Sequence, residues 1–269
     1  VTLKKDVPIK DKLESFILKD IDKNKLFNFL REMEFNRLLS SAISKYGEIQ
    51  FENNQNFVGN TNEKVISKKN YLLIDDIIKI DEYLKEAEET GEICIDTETT
   101  SLNPHEANLV GISLSVKTGY ACYIPVGHKN YDNLDEKRVL QVLKPVLQDS
   151  SIKKIGQNIK FDFIILHKRG IQMNSLEDTM LMSYVLDAGK NRHNMDTLSE
   201  IHLNHKTISF KELVGTGKNQ INFSEVGIQQ AKDYAAEDAD ITFRLYKKFY
   251  KSLKEEKMIN IYEIFEKPM

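Results

Sequence analysis

Cysteine is scarce in this chain. It has two cysteines among 269 residues, and both Cys94 and Cys122 lie within apolar runs. A disulfide scaffold needs more cysteines than this, so we expect two buried thiols in a reducing compartment. The six histidines show no zinc-type pairing with these cysteines, which argues against a structural zinc site.

Long apolar runs are missing as well. No stretch is long enough to span a bilayer, and the first residues lack the pattern of a signal peptide. A glycine-rich phosphate-binding loop is also absent, which argues against a nucleotide-binding enzyme of that kind. Because the chain begins with Val1, we expect it to be a piece of a longer protein.

The chain has no strong net charge. Its 38 Lys and Arg against 41 Asp and Glu give a formal charge of −3. Residues 1–70 carry 13 basic and 10 acidic side chains, and residues 71–269 carry 25 and 31. An acidic main part cannot hold DNA by bulk charge. A DNA-binding role would therefore require local basic groups or metal ions.

Three parts follow one another along the chain. Residues 1–47 carry apolar side chains at helical spacing and predict one amphipathic helix, which Asp22 can cap and which ends near Gly47. Residues 48–70 are rich in Asn, Lys and Glu and predict a linker. Residues 71–269 form the main domain, and the 41% hydrophobic composition of the chain is enough for a sizeable core.

The main domain alternates strands with helices. Apolar, β-branched runs predict strands over 93–98, 109–116, 120–126 and 152–155. Helices are predicted over 75–90, 134–149 and 159–169 and from near 224, and they dominate the last hundred residues. This order predicts an α/β domain with a hairpin meander followed by β–α units.

Two acids stand at the end of the first predicted strand. The apolar residues 93–95 run directly into Asp96 and Glu98, and strand alternation points both acids to the same side. Like charges on one face repel each other, and a divalent cation is the simplest compensation. Solvated acids in a turn are the alternative, and for an isolated Asp-x-Glu they are the more common outcome.

A third acid lies at the start of a helix. Asn158 can cap that helix, and Asp162 follows in its first turns among apolar residues. An acid in apolar surroundings is costly unless something pairs with it. An acid favoured by the helix N-terminus explains the position equally well.

The fourth acid lies in a late helix. Tyr234 and Asp238 are four residues apart and share a helix face, although such pairs are also common on helix surfaces. Neighbouring Glu237 and Asp240 point elsewhere, and we expect them to be solvated. Together, four carboxylates and a phenol suit two divalent cations and an activated water, which is the chemistry of phosphodiester hydrolysis.

In these motifs the sequence resembles the tyrosine-bearing branch of the DEDD exonuclease superfamily, and in particular the proofreading domains of bacterial family A DNA polymerases, the DNA polymerase I family. The resembling segments are 96–102, 107–111, 123–126, 156–158, 178–180, 196–198 and 234–240. Residues 1–45 resemble the end of a 5′ nuclease region, and residues 265–269 resemble the start of a polymerase region. The resemblance implies a ribonuclease H-like fold, with a mixed five-stranded sheet flanked by helices.

The resemblance also implies a role for each acid. Asp96, Glu98 and Asp238 would bind the tighter metal ion. Asp96 would bridge to a second ion on which Asp162 acts through water, and Tyr234 with Glu98 would position the attacking water. The implied cofactors are two divalent cations, Mg²⁺ or Mn²⁺, with Zn²⁺ as an alternative at the tighter site. The implied reaction is an in-line attack that releases a nucleoside 5′-monophosphate from a 3′ end.

DNA contacts are implied by the same resemblance. Leu102 and Phe223 fall where the family wedges a frayed 3′ end, with ordinary core packing as the alternative. Gln157 and Asn158 fall at matching positions. Arg192 is a candidate phosphate ligand, with a surface salt bridge as the alternative.

One position departs from the family pattern. Phe161 stands where the family often has tyrosine, so a hydroxyl that could reach the DNA backbone is missing. We therefore expect Phe161 to contact DNA and to hold it more weakly, with the chemistry kept.

The sequence thus predicts a metal-dependent 3′→5′ exonuclease on single-stranded or frayed DNA. It would be the proofreading part of a polymerase, with the polymerase domain of the same parent chain as its partner. We expect a monomer in the bacterial cytoplasm, associated with the nucleoid. A ribonuclease D-like RNA-trimming nuclease is one alternative, and the polymerase-like flanks argue against it. A non-catalytic spacer is the other, and the four retained carboxylates argue against that.

Overall fold

The computed structural model describes residues 8, 17, 20–33, 35–47, 70–217 and 220–268. The chain divides into two compact units, Val1–Thr61 and Asn62–Met269. Apart from Asn70, the predicted linker over 48–70 lies outside the described residues. Within the described ranges, no helix is long and apolar enough to cross a membrane.

The first unit contains a pair of helices, α1 (Lys23–Glu32) and α2 (Asn36–Tyr46). The side chain of Asp22 accepts a hydrogen bond from the Lys25 amide, so the predicted cap is confirmed. The prediction of one continuous helix is wrong. A single helix would leave its apolar stripe exposed, whereas two helices bury Phe27, Leu30 and Ala42 in a common cluster.

The second unit is built on a six-stranded mixed sheet. Its strands are β1 (Asn70–Leu73), β2 (Glu92–Thr99), β3 (Leu109–Lys117), β4 (Tyr120–Pro125), β5 (Lys153–Gly156) and β6 (Leu176–Asp178). They lie in the order β1-β4-β3-β2-β5-β6. The β2–β3 and β3–β4 pairs are antiparallel, and the other pairs are parallel.

The structure confirms the predicted mixed α/β sheet but not its five-strand count. The two strands that residue patterns did not predict, β1 and β6, form the edges of the sheet with four and three residues. Such short strands do not establish an alternating pattern, and β6 consists of Leu, Glu and Asp.

Helices cover both faces of the sheet. The helices are α3 (Ile80–Thr90), α4 (Glu136–Gln148), α5 (Lys160–His167), α6 (Thr179–Asp187), α7 (Met195–Leu203), α8 (Phe210–Val214), α9 (Ile228–Glu255) and α10 (Ile259–Ile261). In strand β2, Ile93 and Ile95 join the cluster that contains residues of α3, α4 and α5. Cys94, between them, joins the cluster formed with α6, α7 and α9. The central strand is therefore buried on both faces, as its apolar run predicts.

Several predicted boundaries shift by a few residues. A 3₁₀ turn over Ile77–Lys79, capped by Asp76, precedes α3, so the helix predicted from residue 75 starts later. A second 3₁₀ turn over Phe223–Glu225 precedes α9, which begins at Ile228. Both cysteines are buried free thiols, as predicted.

Candidate metal centre

The candidate centre lies at the end of β2, where α9 crosses the sheet. Asp96 and Glu98 stand on one side of β2, and the pairing with β3 shifts register after Glu98. Asp238 comes from α9, in which Ala235 and Ala239 are fully buried and allow a close approach to the sheet. The structure therefore brings together acids that are more than a hundred residues apart in the chain.

The three acids form a ligand set. One carboxylate oxygen from each of Asp96, Glu98 and Asp238 lies within 4.8 Å of the other two. The Oδ1 atom of Asp238 is buried and has no hydrogen-bond partner in the described part of the chain. An orphaned buried carboxylate oxygen beside two other carboxylates fits a hard divalent cation, and an all-oxygen set suits Mg²⁺ or Mn²⁺ better than Zn²⁺.

Asp162 lies beside this set and is not one of its three members. It stands in the first turn of α5 and is 2% exposed. Its Oδ1 accepts hydrogen bonds from the amide and the hydroxyl of Thr97, at 2.9 and 2.5 Å. Because Thr97 lies between Asp96 and Glu98, this pair of bonds ties α5 to the strand that carries the centre.

Burial sets the protonation of the acids. It raises the pKa of Asp96 to about 6. It also raises the pKa values of Glu98, Asp162 and Asp238 well above their usual range, and the charge of Asp96 adds to each of these shifts. Without a cation, the centre therefore retains protons that isolated carboxyl groups would have lost.

Tyr234 lies one helical turn before Asp238, beside the acids. Burial raises the pKa of Tyr234 far above its usual range, and the charges of Asp238 and Glu98 raise it further. The phenol is therefore neutral at physiological pH and can donate a hydrogen bond.

A cavity of about 410 Å³ opens in front of the acids. Asp96, Glu98, Asp238 and Tyr234 line it, whereas Asp162 is not among its lining residues. The apolar part of the lining consists of Leu102, Phe161, Phe210, Ile221 and Phe223. The site thus combines an acidic floor with apolar walls.

The two predicted wedge residues differ in exposure. Leu102 is 91% exposed at the cavity rim, so core packing does not apply to it. Phe223 is 2% exposed and packs against Phe210, Tyr234 and His128, as the core-packing alternative describes. Phe210, which no motif in the sequence predicted, is 39% exposed on the cavity wall. Only its aromatic character could have pointed to it.

The other predicted DNA contacts lie at different places. Phe161 lines the cavity, whereas Gln157, Asn158 and Arg192 are not among its lining residues. The Gln157 side chain is engaged, since it donates to the His193 carbonyl and accepts from the Thr179 hydroxyl.

The remaining two contacts are exposed. Among the described residues, Arg192 forms no ion pair, so a surface salt bridge does not occupy it. Asn158 does not cap α5 as predicted. Its backbone is left-handed with φ 58°, and the cap of that helix, Ile159, makes no side-chain hydrogen bond of its own.

The prediction that Glu237 and Asp240 are solvated is wrong. Glu237 is 2% exposed and accepts from His205 Nε2 and the Ile208 amide. Asp240 is fully buried and accepts from Tyr71, Gly119 and Arg244. Every side chain of α9 over residues 235–243 is buried, so in this part of the helix residues that point away from Asp238 do not reach solvent.

The sequence is similar to a known family and to known proteins. Residues 71–254 match the family described as 3′–5′ exonuclease, DNA_pol_A_exo1. The chain is 40% identical over 219 residues to DNA polymerase I of Rhizobium leguminosarum, covering 74% of this chain and 22% of that protein. It is 36% identical over 262 residues to DNA polymerase I of Pseudomonas aeruginosa, covering 94% and 28%. The chain therefore spans about a quarter of the length of these relatives.

Solved structures share the fold. Brucella melitensis NrnC with bound Mg²⁺ has 25% identity and a TM-score of 0.50, over 64% of this chain and 78% of that chain. Escherichia coli RNase D, an exoribonuclease involved in structured RNA processing, has 18% identity and a TM-score of 0.52, over 72% and 48%. These neighbours confirm the predicted ribonuclease H-like fold.

Proposed function

The chain belongs to the 3′–5′ exonuclease family of DNA polymerase I, and we propose that it removes nucleoside 5′-monophosphates from the 3′ end of single-stranded or frayed DNA. The observation that carries the proposal is the buried carboxylate set of Asp96, Glu98 and Asp238, with its orphaned oxygen, at the floor of an open cavity. A spacer domain gains nothing from three uncompensated acids in contact, because burying them costs stability.

The acids would hold two divalent cations. Asp96, Glu98 and Asp238 would ligate one, and Asp96, with Asp162 acting through water, would hold the second. When bound, the cations supply charge stabilisation for the attacking and leaving oxygens and lower the pKa of a water molecule. Of these acids, Asp162 is oriented by Thr97, which holds Oδ1 and fixes the rotamer of the carboxylate.

Tyr234 and Glu98 would orient the attacking water. Because the pKa of Tyr234 is raised, its hydroxyl is a hydrogen-bond donor and not a base. In its ionised form, Glu98 would be an acceptor. A donor and an acceptor on either side of one water would fix its direction toward the phosphorus, which is a positioning contribution to catalysis.

The apolar walls would select an unpaired 3′ end. Leu102, Phe210 and Ile221 are exposed on the cavity, and each offers a surface to a base that has left its stack. Stacking of this kind contributes about 1–3 kcal/mol per base and tolerates any sequence. Phe223, stacked parallel to Phe210 at 6.4 Å, would support that wall from behind.

The relatives favour DNA as the substrate. The matched proteins are DNA polymerase I, and the chain corresponds to about a quarter of their length. We therefore propose that it serves as the proofreading part of such a polymerase, next to a polymerase domain in the same parent chain. Trimming of RNA 3′ ends is the second candidate, since RNase D shares the fold.

The test is a polarity assay on labelled oligonucleotides. The protein is incubated with 5′-labelled and 3′-labelled single-stranded DNA, and with RNA of the same sequence, in Mg²⁺, in Mn²⁺ and in EDTA. We expect early release of mononucleotide from the 3′ label, a shrinking ladder from the 5′ label, no cleavage in EDTA and slower cleavage of RNA. A preference for RNA would support the RNase D-like activity, and absence of metal-dependent cleavage would overturn the proposal.

A further inference from the structure

We propose that Asp178 is a positioning residue for Asp162, and this inference rests on the proposed function. The feature that points to it is the loop Gly156–Ile159, which joins β5 to α5 and leads to Asp162. Asp178 lies outside the cavity, at the end of β6, and is 6% exposed.

One carboxylate caps two helices. Oδ1 of Asp178 accepts from the Asn158 amide at 3.0 Å and from the Met180 amide at 2.8 Å. Oδ2 accepts from the Ile159 amide at 3.0 Å. The bond to Met180 is an ordinary N-cap for α6, in which Asp178 is the capping residue. The other two bonds give α5, whose own cap residue provides no side-chain hydrogen bond, a cap from a different element.

The loop depends on this support. Asn158 holds a left-handed backbone, and a side chain on Gly156 would bring its Cβ within 2.9 Å of the Ile159 side chain. The hydroxyl of Thr179, the residue after Asp178, lies 3.1 Å from the Gly156 carbonyl oxygen and 2.5 Å from Gln157 Oε1, and its one proton is shared between these two acceptors in the loop. Residues 178 and 179 therefore determine the path of the chain into α5.

The path of this loop bears directly on Asp162. Asp162 follows Ile159 by three residues, within one turn of helix, and its Oδ1 is held by Thr97 on the other side. Asp178 thus anchors the beginning of α5, and Thr97 anchors its first turn to β2. Without the Asp178 carboxylate, the amides of Asn158, Ile159 and Met180 would lose their acceptor. The first turn of α5 would then be held to β2 through Thr97 but no longer anchored at its beginning.

A hydrogen-bond network fixes the backbone at Asp178. Its amide donates to the Tyr262 hydroxyl at 3.0 Å, and this hydroxyl donates to Glu177 Oε2 at 2.9 Å. Lys267 donates to the other oxygen of Glu177 at 2.9 Å. These bonds fix the backbone of β6 and therefore hold the carboxylate of Asp178 in a defined position next to the loop.

The test compares Asp178→Asn with Asp135→Asn. Asp135 is the N-cap of α4, accepts from the Arg138 amide at 2.8 Å, and caps a helix that carries none of the proposed site residues. Asn caps a helix about as well as Asp, so both substitutions keep a side-chain acceptor at the cap. In Asp178→Asn, however, the new amide group faces the Ile159 N–H and cannot accept from it.

Two measurements separate positioning from general stability. For Asp178→Asn we expect the Mg²⁺ midpoint of the exonuclease rate to rise about tenfold and kcat to fall about 10–100-fold, with the KM for DNA nearly unchanged and part of the rate restored by excess Mg²⁺. In the metal-free protein, hydrogen exchange should accelerate at the amides of Asn158, Ile159 and Thr97. Asp135→Asn should leave the Mg²⁺ midpoint and these three amides as they are.

A second substitution covers a failure of Asp178→Asn to fold. Asp178→Ser can keep a cap on α6 but has no second oxygen for Ile159, so it should show the same change in Mg²⁺ midpoint. A wild-type Mg²⁺ midpoint and wild-type exchange at Thr97 in a folded variant would overturn the inference. If the wild-type protein itself shows no metal-dependent hydrolysis, the proposed function fails instead, and the exchange measurement still decides the role of Asp178.

Discussion

Three acids within one turn of α9 share the same degree of burial and differ in what surrounds them. Glu237, Asp238 and Asp240 are 2%, 5% and 0% exposed. Glu237 accepts two hydrogen bonds, at 3.1 and 2.7 Å, and Asp240 accepts three, at 2.8, 2.7 and 3.0 Å. Asp238, between them, has an oxygen with no partner in the described part of the chain.

The difference distinguishes a structural acid from a functional one. Burying a carboxylate costs free energy, and Glu237 and Asp240 recover that cost through protein donors in the folded state. Asp238 faces two more acids instead, so its cost would persist until a cation bound. Burial alone does not mark a candidate metal ligand, whereas an unsatisfied oxygen beside other acids does. The two kinds of acid should therefore respond to substitution in opposite ways.

The largest effect is expected for Asp238→Ala. Losing a ligand of the proposed centre should remove about 4 kcal/mol of transition-state stabilisation, which lowers the rate about a thousandfold. The thermal midpoint in EDTA should stay equal or rise, because a buried acid without a hydrogen-bond partner for its Oδ1 is gone. Initial rates on single-stranded DNA and thermal melts check both. Retained activity would show that Asp238 is only another buried acid.

Asp240→Ala should lower the stability of the fold and leave the exonuclease rate nearly unchanged, which is the reverse of the expectation for Asp238→Ala. It leaves the Arg244 charge and the Tyr71 hydroxyl without their acceptor, and we expect a loss of about 3 kcal/mol of unfolding free energy, the lower part of the range for a broken buried pair. The lower value is expected because Arg244 is partly exposed and can turn to water. Denaturant titration measures the loss. The exonuclease rate per folded molecule, at a temperature below the transition, should remain within a few-fold of wild type.

The pH dependence of stability sharpens the same contrast. The pKa of Asp96 rises from 3.8 to about 6 on folding, so the folded protein binds more protons than the unfolded chain across this interval. In EDTA, stability should therefore fall as pH rises from about 4 to 6, by at most about 3 kcal/mol from this group, and continue to fall as the other acids ionise. Partial exposure of Asp96 makes the real loss smaller.

Mg²⁺ should offset this loss of stability at higher pH. With saturating Mg²⁺, the thermal midpoint at pH 7 should rise above its value in EDTA, and the rise should be smaller at pH 5, where protons compete for the carboxylates. The Asp238→Ala variant is the control, and its response to Mg²⁺ should be much weaker. An equal Mg²⁺ response at both pH values would contradict the assignment of these acids as ligands.

Local sequence patterns predicted the two pairs of residues in the centre, but they did not predict that the two pairs lie next to each other. Strand alternation put Asp96 and Glu98 on one side, and helix spacing put Tyr234 and Asp238 on one face. Both predictions follow from backbone geometry alone. That the two faces meet depends on how α9 crosses the sheet, and only the resemblance to exonucleases implied it.

Sequence reasoning failed where burial depends on distant residues. Helix spacing shows that Asp240 points away from Asp238, but its partners Tyr71 and Gly119 lie 169 and 121 positions earlier. In the same way, the sequence could not tell exposed Phe210 from buried Phe223. The edge strands β1 and β6 are too short to carry a periodic signal, although β6 positions Asp178.

Glu237→Gln should have the smallest effect and tests how far the two kinds of acid are independent. The charge of Glu237 raises the pKa of Asp238, although the hydrogen bonds of Glu237 within the described ranges go to His205 and Ile208. A glutamine keeps an acceptor for the Ile208 amide, so the loss of stability should be about 1 kcal/mol. Removing the charge lowers the pKa of Asp238, so at subsaturating Mg²⁺ the rising limb of the rate against pH should move to lower pH.

The control is Glu255→Gln, at the solvent-exposed end of the same helix, which should change neither the pH profile of the rate nor the thermal midpoint. A loss of rate as deep as that of Asp238→Ala would place Glu237 in the centre and remove the distinction between the satisfied and the unsatisfied acids of α9.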